Sequence, residues 1–94
     1  MIKHIVFFRF DDKKEVEEVK KKLLDMNEKI DVLRHIEVGV NFLESDRNYD
    51  LCLTTHFDSK EDLKIYADHE VHVPVKKYIQ SVASSMACVD YESI

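Results

Sequence analysis

Within seven residues, from Tyr66 to His72 ("YADHEVH"), the chain gathers one phenol and two imidazoles. An imidazole ionises near pH 6.5, which suits a general base at neutral pH, and a neighbouring hydroxyl can hold a substrate oxygen. Three readings of the segment are open. It can be a small base-catalysed site, a metal clip, or a helix end whose histidines bond the backbone groups that the helix leaves free. Spacing is poorest for the metal. A zincin helix needs histidines four apart in H-E-x-x-H, whereas His69 and His72 are three apart. A third ligand, His4, would have to come from a distant strand, and nothing singles out Asp68 and Glu70 as magnesium ligands. No metal and no cofactor is expected. His35 and His56 lie at strand edges with no partner visible in sequence and read as structural or solvated. No Ser-His-Asp set or Cys-His pair has a positional argument behind it.

The rest of the sequence limits what such a site can serve. Ninety-four residues make a single domain over 1–94, large enough for one core. Hydrophobic content of 45% with 35% charged residues is that of a globular protein. A net charge of −5 argues against a nucleic-acid partner, which calls for a basic surface. No apolar run approaches the roughly 20 residues of a bilayer span, so no membrane partner is expected. Lys3 and Arg9 bracket a short N-terminal run that reads as a strand rather than a signal peptide. Two cysteines, Cys52 and Cys88, make no disulfide framework, and a cytoplasmic location is expected. One Gly and one Pro leave little room for linkers or phosphate-cradling loops.

The elements that must position these residues follow from periodicity. "IKHIVFFRF" (2–10) is a strand rich in β-branched and aromatic residues. Asp12 and Glu15 have capping-box spacing, and Val16, Val19, Leu23, Met26 and Ile30 then form one stripe of an amphipathic helix. Strands over 35–42 and 49–57 form an antiparallel pair around the polar turn "ESDRN". Ser59 and Asp62 open a second helix, which Pro74 predicts to be broken near 69–73. A short helix through Val75–Val82 and a last strand, "MACVDYE" (86–92), complete the order β-α-β-β-α-β. This is an α+β, ferredoxin-like fold with a four-stranded antiparallel sheet.

Strand parity then bears on partners. Ile5 and Phe7 point to one face of the first strand, and Val6, Phe8 and Phe10 to the other, so the sheet is apolar on both sides. Helices can cover only one of them. The open face predicts a homodimer, sheet against sheet, closing a dimeric α/β barrel. His4 shares the face of Val6 and Phe8. Taken as the barrel interior, that face is a mostly apolar chamber with an imidazole near one end, though Phe8 and Phe10 would fill much of it. Cys52 and Cys88 are predicted to lie two strands apart, beyond disulfide reach, as buried small hydrophobes.

Five stretches in order, "IKHIVFFRF", "IEVGVN", "YDLCLTTHFDS", "YADHEVH" and "CVDYE", resemble the Dabb family of stress-responsive A/B-barrel domain proteins. The resemblance runs from residue 2 to about 92. It implies the dimeric barrel reached above from patterning, and a stress-related or accessory metabolic role. A plant branch of the family consists of cofactor-free cyclases acting on linear polyketide thioesters. Its Y-x-x-H-x-x-H segment falls on Tyr66, His69 and His72, and its first-strand histidine on His4. By that similarity His72 is the general base and Tyr66 the hydroxyl that positions the substrate; His4 and His69, from the same match, and Phe8, from the inward face of the first strand, are candidate ligand contacts. The family's usual proline after the first histidine is here Glu70.

Two functions therefore stand side by side. One is a binding barrel for a small hydrophobic or aromatic ligand, without catalysis. The alternative is a cofactor-free enzyme, a polyketide-type cyclase or a small monooxygenase, using His72 and Tyr66.

Overall fold

A computed structural model of the chain describes residues 1–94. Strand β1 (Ile2–Phe10) runs through the middle of a four-stranded antiparallel sheet. β3 (Leu51–Phe57) and β4 (Ala83–Glu92) flank it, and β2 (His35–Val40) lies outside β3, giving the order β2-β3-β1-β4. Helices α1 (Glu15–Leu24), α2 (Lys60–Ala67) and α3 (His72–Val82) pack on one face. The βαββαβ order is the one that patterning predicts, with the second helix divided in two. No helix is long and apolar enough to cross a membrane.

Register decides which side chains meet the helices. Val6 pairs with Leu53 and Cys88, and Phe8 with Leu51 and Met86, so all of these share one face. Val6, Phe8 and Phe10 are buried there in one cluster with Val19, Leu23 and Ile79. Burying each such side chain contributes about 1.5–3 kcal/mol. The opposite face carries Ile5, Phe7, Ala87, Val89 and Tyr91, with Phe7 44% and Val89 61% exposed. The face of His4, Val6 and Phe8 is thus roofed by the chain's own helices. Any chamber on that side lies between sheet and helices, not between two sheets.

Several local expectations need correction. The Asp12–Glu15 capping box does not form. Asp12 turns its carboxylate back to the Lys14 N–H at 3.0 Å, and α1 starts only at Glu15. Met26 and Ile30 are buried as predicted, but in turns beyond the helix end at Leu24. Ser59 does cap α2, its hydroxyl accepting from the Asp62 N–H at 3.1 Å. Pro74 falls in the first turn of α3, where its missing N–H leaves no bond unmade. Cys52 pairs with Phe7 and Cys88 with Val6, so the thiols are on opposite faces of the sheet. Cys88 is exposed rather than buried, because β4 is an edge strand.

Asp50 ties the far end of the sheet together. Where the β1–β4 register shifts between Arg9 and Phe10, the Phe10 N–H donates to the Asp50 carboxylate at 2.8 Å. Lys13 reaches the same oxygen at 2.8 Å. Burial pushes this carboxyl up. The Lys13 ammonium, the Phe10 N–H and the Arg9 charge outweigh that effect and hold it below its usual 3.8. A depressed folded-state pKa contributes stability that is present above the unfolded value and lost as pH falls through the folded one. Asp50→Ala, which leaves a buried N–H unpaired, should lower the free energy of unfolding by about 1–3 kcal/mol at pH 7. In urea titrations the gap between variant and wild type should narrow only below pH 3.8. A gap that does not change with pH would show that the carboxylate charge contributes nothing.

Candidate functional site

The site forms where the broken helix crosses the His4 end of β1. Tyr66 stands in the last turn of α2, with its ring 5.0 Å from Phe57, and is 1% exposed. Beyond Ala67 the chain turns through 68–71 before α3 begins at His72. That turn leaves backbone groups without helical partners, and the two histidines take them up. The Val71 N–H donates to His69 Nδ1 at 3.0 Å. His72 Nδ1 lies 3.0 Å from the Ala67 carbonyl, and since a carbonyl only accepts, Nδ1 carries the proton. In the neutral ring the lone pair is therefore on Nε2, which has no protein partner.

His72 lies against Tyr66, with ring centroids 4.2 Å apart, and His4 meets the Tyr66 ring edge-on at 6.2 Å. Together they border a cavity of about 210 Å³ between the sheet and the helices. Val6 and Phe8 form its floor, Leu63 and Ile79 its roof, and Met86 and Cys88 one side. Phe8 is a wall and does not fill the space; Phe10 is not part of it. A larger depression, of about 840 Å³, lies beside Arg9, Lys13 and Asp46 and touches none of the histidines.

Four of the five residues singled out from sequence meet here: His4, Phe8, Tyr66 and His72. His69 does not line the cavity. The zinc reading of "HEVH" has no geometry behind it, because His69 and His72 belong to no group of converging metal-ligand atoms and only His72 borders the cavity.

Burial sets the electrostatics. It raises the Tyr66 phenol well above its ordinary value, so the hydroxyl stays protonated. That hydroxyl is buried and has no hydrogen-bond partner. Burial also lowers His72 below 6.5, with the Ala67 carbonyl opposing and Lys76, His4 and His69 adding to the drop. His72 is thus neutral at pH 7, a proton acceptor at Nε2.

Three features escaped the sequence reading. Asp90 pairs with His4 across β1 and β4, and its carboxylate bonds His4 Nδ1. Cys88 Sγ lies 3.6 Å from the same nitrogen. The alternation of "CVDYE" already puts Cys88 and Asp90 on one face, but only the register sets them beside His4. His35 and His56, taken as unpartnered, are a cross-strand pair with rings 4.7 Å apart. Burial, then His35 and Lys3, lowers the His56 pKa.

Comparison with known proteins places this geometry. A dimeric protein of unknown function with a ferredoxin-like fold from Bacteroides fragilis is 36% identical to the chain. The match covers 98% of this chain and 95% of that one, with a TM-score of 0.84. A dimeric ferredoxin-like protein of unknown function from Thermobifida fusca is 24% identical over 98% of this chain and 90% of that one, with a TM-score of 0.86. Hydroxynitrile lyase from Passiflora edulis shares the fold at 13% identity, covering 99% of this chain and 95% of that one, with a TM-score of 0.83. No curated protein matches the chain significantly. Residues 2–93 match the stress responsive A/B barrel domain as a whole, and the chain belongs to that family.

Proposed function

We propose that the chain is a homodimeric binding barrel whose cavity takes a small hydrophobic or aromatic molecule bearing an oxygen. The observation that carries this reading is the Tyr66 hydroxyl, buried beside an apolar cavity without a protein partner. A buried polar group left unpaired costs about 1–3 kcal/mol, and native structures hold few of them. A guest oxygen bonded to Tyr66 would remove that cost, while its hydrocarbon part would meet Val6, Phe8 and Leu63. Size agrees with one substituted ring. An engineered apolar cavity of about 150 Å³ holds benzene, and this one is about 210 Å³.

A second reading, cofactor-free base chemistry, is supported by His72 Nε2, which is unbonded, neutral and at the cavity wall. The Passiflora edulis lyase lends it no more than a shared fold.

The homodimer is proposed through the open sheet face. Phe7, Val89 and Tyr91 are exposed there together, and the Bacteroides fragilis and Thermobifida fusca relatives are dimeric. Changing Phe7 and Val89 both to Glu should yield a monomer in sedimentation equilibrium. A dimer that survives the change would mean another interface.

Calorimetry with simple phenols tests the cavity. Tyr66→Phe removes one hydrogen bond of about 1.5 kcal/mol, so affinity should fall about tenfold. Equal affinity for both proteins would take Tyr66 out of recognition. His72→Ala separates the two functions. A binding barrel keeps its guest in that variant, whereas a base-dependent enzyme loses turnover of a β-ketoacyl thioester. Catalysis by His72 would also persist as pH is lowered past 6.5, since its folded-state pKa lies below that value. Activity that falls away with a midpoint above 6.5 would exclude His72 as the base.

A further inference from the structure

We propose that His4, Cys88 and Asp90 form a binding site for Zn²⁺ at the rim of the cavity, with one coordination position open to it. The three side chains come from two paired strands and offer a nitrogen, a sulfur and a carboxylate oxygen within 4.8 Å of one another. Cys88 Sγ is 3.6 Å from His4 Nδ1 and 3.6 Å from Asp90 Oδ2. Tetrahedral zinc has Zn–S of about 2.3 Å and Zn–N or Zn–O of about 2.0–2.2 Å, which sets ligand-to-ligand edges of about 3.5 Å. Two edges of the tetrahedron are therefore already near their final length. Along the third, His4 Nδ1 now bonds the other carboxylate oxygen of Asp90, Oδ1. A cation entering between the two groups would take the place of the shared proton and spread that edge.

The same distances argue against a nucleophilic relay. In a Cys-His-Asp relay the thiol and the carboxylate bond opposite nitrogens of the imidazole. Here both address Nδ1, as ligands around one ion do. Donor chemistry chooses the metal. A thiolate beside an imidazole favours zinc and disfavours magnesium and calcium, which take oxygen ligands. Cys88 and Asp90 are exposed and His4 is half-buried, so an ion can enter from solvent. Three protein ligands leave zinc a fourth position, the arrangement of sites that bind water or a ligand rather than purely structural ones. His4 and Cys88 also line the cavity, which directs that position toward it. On binding, the Cys88 S–H bond breaks and its proton passes to solvent. The neutral His4 ring changes tautomer, giving up the Nδ1 proton and taking one at Nε2, so that Zn–S and Zn–N bonds form with one proton released. The site does not depend on the cavity having a guest, because the metal alone is the probe.

Cobalt(II) titration of the metal-free, full-length protein reads it directly. One ion per chain should bind, with a thiolate-to-cobalt charge-transfer band in the near ultraviolet. Cys88→Ser should abolish the band, and Cys52→Ser should leave it intact. Losing even an outer-shell partner of a metal site costs about 10–100-fold in affinity. Competition with Zn²⁺ should therefore show at least a tenfold loss in both Cys88→Ser and Asp90→Asn. Both are near-isosteric changes at exposed positions, and unchanged melting of the metal-free variants confirms their fold. Absence of saturable binding, one ion per two chains, a band that depends on Cys52, or full affinity in either variant would each overturn the site.

Discussion

A sheet with an apolar central strand and helices enough for one side leaves a choice that only register makes. β1 alternates Ile5 and Phe7 against Val6 and Phe8, and both sets are hydrophobic. Pairing with Leu51 and Leu53 commits the second set to the helices. His4 goes with it, two residues before Val6, and so do Cys88 and Asp90 across the β4 pairing. A slip of one residue in β1 would send His4 to the open face, away from Cys88 and Asp90, and dissolve the site.

The cavity itself follows from the interrupted helix. An unbroken helix from Lys60 to Val82 would lay a continuous apolar stripe on the sheet. Division after Ala67 turns the chain instead, with Tyr66 on one side of the break and His72 on the other. The backbone groups freed by the turn are not left to water alone, since His69 and His72 each use Nδ1 to pair one of them. One bond thus serves two ends. It fixes the local backbone, and it settles the tautomer of His72 so that Nε2 is the free nitrogen. Tyr66 is the exception to this economy, a buried hydroxyl with no protein partner.

The two ends of β1 differ in how their polar groups are settled. At the Phe10 end, Asp50 meets a cation and a backbone N–H, and burial loses to those partners. At the His4 end, burial prevails at both Tyr66 and His72, and both stay neutral. The first arrangement holds the sheet's irregular end in place. The second keeps an apolar space fitted with a few polar atoms.

Much of this was legible in the sequence. Periodicity alone identified the βαββαβ order, the buried stripe Val16, Val19, Leu23, Met26 and Ile30, the helix break ahead of Pro74, and the apolar character of both sheet faces. Each of these depends on neighbours a few residues apart. Tyr66 and His72 could be paired from spacing, because the break lies between them. What tertiary structure decided depends on strand pairing, which couples residues far apart in the chain, more than eighty positions for His4 with Cys88 and Asp90. That pairing sets Cys88 and Asp90 beside His4, brings the His35 and His56 rings together, and puts the helices rather than a second sheet over Val6 and Phe8. Capping failed at Asp12 for a related reason. Spacing shows which bonds a side chain can reach, whereas the folded backbone around it selects the one it makes.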